Sequence, residues 1–124
     1  EASRPFVAID VLEETIKASK RYGCAIAAHR LSDAVKLAPK GMKAVKTMER
    51  NSMWVAQTPQ AFKFEVLEKI IAGNAKNIKI LDDESEFVRN PSEVHLVEAG
   101  PANIKIRTSA DLAMATALLN ANIA

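Results

Sequence analysis

The 124-residue chain is short of the residues that usually announce chemistry. Its four glycines, Gly23, Gly41, Gly73 and Gly100, stand alone, so no glycine-rich loop is available to cradle a phosphate. Its one cysteine, Cys24, excludes an internal disulfide and fits a reducing compartment, the cytoplasm. There is no Cys/His metal-ligand spacing. The two histidines, His29 and His95, lie far apart in strand-like stretches and read as structural. No apolar run reaches the ~18 residues of a membrane span. No signal peptide opens the chain. Seventeen Lys and Arg against fifteen Asp and Glu leave a net charge of +2, which is no nucleic-acid footprint. What remains is a soluble, globular composition, 48% apolar and 26% charged, long enough for a single domain with a modest core.

Within that composition, helices and strands alternate, which predicts an α/β fold with a mainly parallel sheet. Glu1-Ala2-Ser3-Arg4-Pro5-Phe6 reads as the middle of a domain, so a preceding segment is expected. Asp10 is placed to cap a helix running to about Tyr22, with Leu12, Ile16 and Ser19 as its inward stripe and Gly23 as its stop. Cys24-Ala25-Ile26-Ala27-Ala28 is a continuous apolar run, the mark of a buried central strand. Asp33 to Leu37 and Met42 to Thr47, joined through Pro39-Lys40-Gly41, predict a two-stranded arm. An isolated hairpin is marginal in water, so an arm with this apolar surface would gain by packing on a partner subunit. Thr58-Pro59-Gln60 is expected to break the strand region that follows. A short helix is predicted over Phe64 to Ala72, with Leu67, Ile70 and Ile71 inward. A second is predicted to open at Asp82-Asp83-Glu84-Ser85-Glu86, where acids suit the helix dipole. Strands are expected at Val94–Glu98 and Asn103–Ile106. Thr108-Ser109-Ala110-Asp111 resembles a capping box for a last helix, with Leu112, Ala115 and Leu119 on its core face.

The stretch from Glu49 to Phe62 stands out. It holds the only tryptophan, Trp54, an arginine at its start and a polar Gln57-Thr58-Pro59-Gln60 segment near its end. Arg4, Arg50 and Lys105 are isolated cations at element boundaries. In parallel α/β sheets, strand ends line the ligand crevice. An arginine fork matches phosphate oxygens, and lysine offers a mobile point charge. A phosphate-bearing ligand is the physical reading, against the plain alternative that these are solvated surface charges.

At Arg50…Trp54-Val55-Ala56-Gln57-Thr58-Pro59-Gln60-Ala61-Phe62 the chain resembles the 2-C-methyl-D-erythritol 4-phosphate cytidylyltransferases of non-mevalonate isoprenoid synthesis. Ala2-Ser3-Arg4-Pro5-Phe6, Leu81-Asp82-Asp83-Glu84 and Leu96-Val97-Glu98…Asn103-Ile104-Lys105-Ile106-Arg107-Thr108…Asp111-Leu112 are similar to three further blocks of that family, in the same order. The resemblance implies the C-terminal portion of a single Rossmann-like nucleotidyltransferase domain, with a dimerisation arm at about residues 30–52. It implies attack of a sugar-alcohol phosphate on the α-phosphorus of CTP, with Mg²⁺ or another divalent cation bridging the phosphates. By the same resemblance, Arg50 reaches the neighbouring subunit of a homodimer to hold the acceptor's phosphate. Thr58 and Lys105 line the acceptor pocket, Arg4 belongs to it, and Glu1 takes the family's Asp position near hydroxyls and metal. The family's catalytic Arg and Lys and its glycine-rich CTP loop belong to an N-terminal half that these residues do not include.

Three positions depart from the family pattern. Glu1 is a methylene longer than Asp, and Ala34 and Leu81 replace threonines, which removes two acceptor-side hydroxyls. Ribitol 5-phosphate cytidylyltransferase shares most of these blocks and stays open as an alternative. So does a non-catalytic binding or assembly module of the same fold.

Overall fold

The computed structural model describes residues 1–74 and 93–124. In chain order the elements are α1 (Ile9–Tyr22), β1 (Cys24–Arg30), β2 (Lys36–Leu37), β3 (Lys46–Thr47), a 3₁₀ turn (Arg50–Ser52), β4 (Trp54–Phe62), α2 (Phe64–Asn74), β5 (Val94–Glu98) and α3 (Ser109–Asn120). The expected acidic helix from Asp82 and the departure at Leu81 lie outside the described residues.

The central strand is where its sequence put it. β1 lies between β4 and β5, antiparallel to the first and parallel to the second. Five successive residues, Cys24 to Ala28, are buried, as a strand covered on both faces requires. The alternation of a strand divides them. Ala27 meets Val11 of α1, with Ala99 and Val97 alongside, whereas Cys24 and Ile26 meet Ile70 of α2, Phe62 and Val94. The sheet is thus a middle layer between α1 and α2.

Alanines along β1 let α1 come close, and this shifts the helix about its axis. Its inward face is Val11, Thr15 and Ser19; of the expected stripe Ser19 is buried, whereas Leu12 and Ile16 are 42% and 41% exposed. The buried hydroxyls satisfy themselves within the helix: Thr15 Oγ1 donates to Val11 O at 2.7 Å and Ser19 Oγ to Ile16 O at 2.8 Å. Asp10 is not the cap. Ala8 holds that position without a side-chain bond, and Asp10 sits in the first turn. Gly23 ends α1 as expected, at φ +100°, and a Cβ there would also touch Val66 at 3.5 Å.

Other boundaries moved too. α2 continues through Gly73 to Asn74, and Val66 and Ile70 are its half-buried residues while Ile71 faces outward. α3 carries the expected capping box, with Thr108 Oγ1 and the Asp111 carboxylate serving each other's backbone N–H groups. It buries only Ala115, and Leu112 and Leu119 point away from the sheet. Residues 103–106 form no strand. They leave a turn, in which Ile104 N–H donates to Ala102 O at 2.8 Å, and meet the start of the chain, where Ile106 N–H donates to Ser3 O at 2.8 Å.

β4 is the largest correction. Thr58-Pro59-Gln60 does not end the strand but lies inside it. Ile26 pairs with Gln60 and Ala28 with Ala56, so Ala27 alone faces three residues, Gln57, Thr58 and Pro59. The ladder bulges there, and bulges re-aim side chains. The arm is present but shorter than expected: β2 and β3 pair antiparallel, Lys36 with Thr47 and Leu37 with Lys46. Two further backbone bonds extend it, Val45 N–H to Leu37 O and Met48 N–H to Val35 O, both at 2.9 Å. Among the described residues no helix is long and apolar enough to cross a membrane.

Candidate functional site

The β4 bulge, the first four residues and the segment after Pro101 converge on one cluster. Asn103 is at its centre and is buried. Its Nδ2 donates to Gln57 Oε1 at 2.9 Å and to Thr58 O at 3.0 Å, which pins the bulge. Its backbone carbonyl accepts from Arg4 Nη1 at 2.7 Å, which pins the N-terminal segment. One residue, through its side chain and its backbone carbonyl, therefore fixes two of the segments that carry the expected site.

Glu1 sits on this frame. Its Oε1 accepts from Ser3 Oγ and lies 3.1 Å from Lys105 Nζ, while its Oε2 accepts from Thr58 Oγ1. These partners stabilise the anion. The Ser3 hydroxyl contributes most, then Thr58 and then Lys105, and together they outweigh partial burial and bring the carboxyl from 4.5 down to about 2. At neutral pH Glu1 is a carboxylate that accepts hydrogen bonds and cannot donate a proton. Arg4 shows the opposite influence. Burial pushes its guanidinium below the ordinary value, Glu1 opposes that and nearby Arg107 adds to it.

Beside this network opens a cavity of about 250 Å³, bordered by Arg4, His29, Gln57, Lys105, Arg107 and Asp111 among others. Arg4 Nε and Asn103 Oδ1 are buried without a hydrogen-bond partner among the described residues. Asp111 is spoken for: its carboxylate accepts from the backbone N–H groups of Arg107 and Thr108, both at 2.9 Å, and these bonds hold it below the usual carboxylate range. The cavity rim thus offers an unpartnered donor and a surplus of positive charge, which suits an anionic, hydroxyl-bearing molecule.

Four of the five expected site residues, Glu1, Arg4, Thr58 and Lys105, come together. Arg50 does not join them. It opens the 3₁₀ turn at the base of the arm, where its Nη1 donates to Ser32 O at 2.8 Å. Sequence reasoning assigned no role to Asn103, Gln57 or Arg107, and read His29 as structural although it borders the cavity. A signal existed for two of them: Asn103, Lys105 and Arg107 recur with the period of an extended chain, so one face can present all three.

A divalent cation prefers several oxygen ligands. Glu1 is already engaged through both oxygens and stands beside Lys105 and Arg4. Among the described residues no group of three or more His, Cys, Asp or Glu could hold a metal ion. These residues by themselves do not fit a metal site.

Comparison with known proteins gives a consistent result. The family model for 2-C-methyl-D-erythritol 4-phosphate cytidylyltransferase matches residues 1–121. The chain is 36% identical over 125 residues to the enzyme of that name from Geobacillus kaustophilus, covering 100% of this chain and 54% of that protein. It is 40% identical over 123 residues to the one from Shouchella clausii, covering 96% and 52%. Among solved structures, 4-diphosphocytidyl-2C-methyl-D-erythritol synthase from Anaerococcus prevotii superimposes with a TM-score of 0.86 at 29% identity, over 95% of this chain and 53% of that one. The Thermus thermophilus cytidylyltransferase gives 0.81 at 28% identity, over 95% and 58%. The chain spans about half the length of the curated relatives it matches.

Proposed function

Since the chain belongs to the 2-C-methyl-D-erythritol 4-phosphate cytidylyltransferase family, we propose that it is the acceptor-binding and dimer-forming half of such an enzyme. In the reaction, a phosphate oxygen of methylerythritol phosphate attacks the α-phosphorus of CTP. A new P–O–P bridge forms, the bond from the α-phosphorus to the bridging oxygen breaks, and pyrophosphate leaves with that electron pair. Transfer of this kind depends on positioning and charge neutralisation. The observation that carries the reading is the Glu1–Thr58–Lys105 network beside the cavity, with Arg4 at its rim.

The roles follow from the chemistry of each group. The Glu1 carboxylate accepts hydrogen bonds from acceptor hydroxyls, in place of those it takes from Ser3 and Thr58. Lys105 and Arg4 set the local positive potential, and Thr58 gives the pocket a hydroxyl. Arg50 acts in trans, on the acceptor phosphate of the neighbouring subunit. Its place at the arm base supports this, because among the described residues its side chain donates to Ser32 O and not to the cluster. A divalent cation would have to be held by ligands outside these residues, where it would supply charge neutralisation for the phosphates. This half alone is inactive, and the catalytic Arg and Lys belong to that remainder.

The test is an activity screen of the full-length protein with CTP and either methylerythritol phosphate or ribitol 5-phosphate. Pyrophosphate release with the first alone is expected. Turnover with ribitol phosphate instead would change the acceptor. No turnover with either would favour a binding or assembly module.

A further inference from the structure

Arg30 ends β1 where the arm leaves the sheet, and four parts of the fold meet on its side chain. Its guanidinium lies 4.4 Å from the ring centroid of Trp54, its register partner at the start of β4. Its Nη1 donates to Asn51 O at 3.3 Å, and its Nε lies 3.9 Å from the carboxylate of Glu98 at the end of β5. Asn51 is the residue after Arg50, in the same 3₁₀ turn.

That turn has little else to hold it against the sheet. None of its residues is buried. Its other bonds are to its own flank, from Asn51 N–H to the Glu49 carboxylate at 3.3 Å and from Ser52 Oγ to Glu49 O at 3.1 Å. Arg50 itself leans on Ser32 O, which belongs to the strand exit rather than the sheet. Beyond the chain's own continuation into β4, Arg30 is the side chain that ties the turn to the sheet among the described residues. A planar fork suits the task, because it can stack on the indole while its edges address a carbonyl and a carboxylate.

We propose that Arg30 is a positioning residue for Arg50: it fixes the turn that presents Arg50 to the acceptor phosphate. The proposal rests on the reading of Arg50 given above. Arg30 touches no substrate. It removes freedom from the arm base, so that Arg50 meets the phosphate already oriented.

The experiment is a double-mutant cycle in the full-length enzyme, read as the KM for the acceptor and as kcat. Arg30→Ala is expected to raise the acceptor KM about fivefold and to change kcat less than about twofold, the pattern of lost ground-state binding. Arg30→Lys should recover part of the loss, since an ammonium still rests on the indole. Arg30→Met keeps the stem packed on Trp54 without the charge, and should behave like Arg30→Ala even if the alanine variant folds poorly. In an Arg50→Ala background, Arg30→Ala should have no further effect on KM. Independent, multiplying effects would overturn the proposal. So would an unchanged KM in Arg30→Ala and Arg30→Met beside a raised KM in Arg50→Ala, which would leave the reading of Arg50 standing. A silent Arg50→Ala would overturn both.

Discussion

The cluster around Glu1 and the hairpin arm are both made of short extended segments, yet they are held in opposite ways. Glu1 engages three side chains, and Asn103 behind it ties the β4 bulge to the N-terminal segment. The arm has a two-residue ladder, two added backbone bonds and one side-chain bond across it, from Lys36 Nζ to Thr47 Oγ1. Leu37, Val45 and Met42 on it are exposed, Met42 completely. The cluster is shaped by bonds from within the chain. The arm has apolar surface that this chain does not cover, and two short strands are marginal alone. One region is held by side-chain bonds within the chain; the other, on the reading proposed above, is completed by a partner subunit.

The strongest way to break this contrast is to delete residues 33–47 from the full-length protein. Monomers are expected in sedimentation experiments, and acceptor turnover should fall away because Arg50 loses its partner. A persistent dimer would refute the role of the arm. Next in size is the core that supports the cluster. Ile26 is buried between β1 and α2, and Ile26→Ala should cost about 3 kcal/mol in denaturant unfolding. Leu37→Ala on the arm should cost under ~0.5 kcal/mol in the same assay. Equal losses would show that the arm is as integrated as the sheet.

A smaller effect than the loss in the core concerns Glu1. Its carboxyl lies near 2 in the folded chain against an ordinary 4.5, so the folded state binds the proton less readily than the unfolded one. The stabilisation is therefore complete above about pH 4.5 and is lost as pH falls toward 2. Solvent screening keeps it to about 1 kcal/mol. Thermal melts should place the parent above Glu1→Gln at neutral pH, with the gap closing in acid. A gap that ignores pH would remove the ionised network.

Much of the fold was legible because its signals are local. A continuous apolar run after Gly23 gives a buried strand, Pro39-Lys40-Gly41 gives a hairpin, and Thr108 with Asp111 gives a capped helix. The missed features are set by contacts distant in sequence. The inward face of α1 depends on the alanines beneath it, so Thr15 displaced Ile16. Pro59 looked like a strand end because the ladder bond it forgoes is absorbed by a bulge opposite Ala27, which no local pattern records. In the site, cations at element boundaries were visible and four of the five expected residues converge. Asn103 was not read as structural support, since its role is recognised only once the partners of its side-chain amide and of its backbone carbonyl, 46 and 99 residues away, are in place.

The bulge in β4 also changes what kinds of sequence drift the chain can absorb. Three residues must span the space opposite one, and the same strand carries the arm at its start and Thr58 at its middle. Substitutions between Ala56 and Gln60 change a side chain and leave the spacing alone. A single insertion or deletion there would turn Thr58 away from Glu1 and rotate the arm base against the sheet in one event. Along these five residues, evolution is freer to respell than to recount.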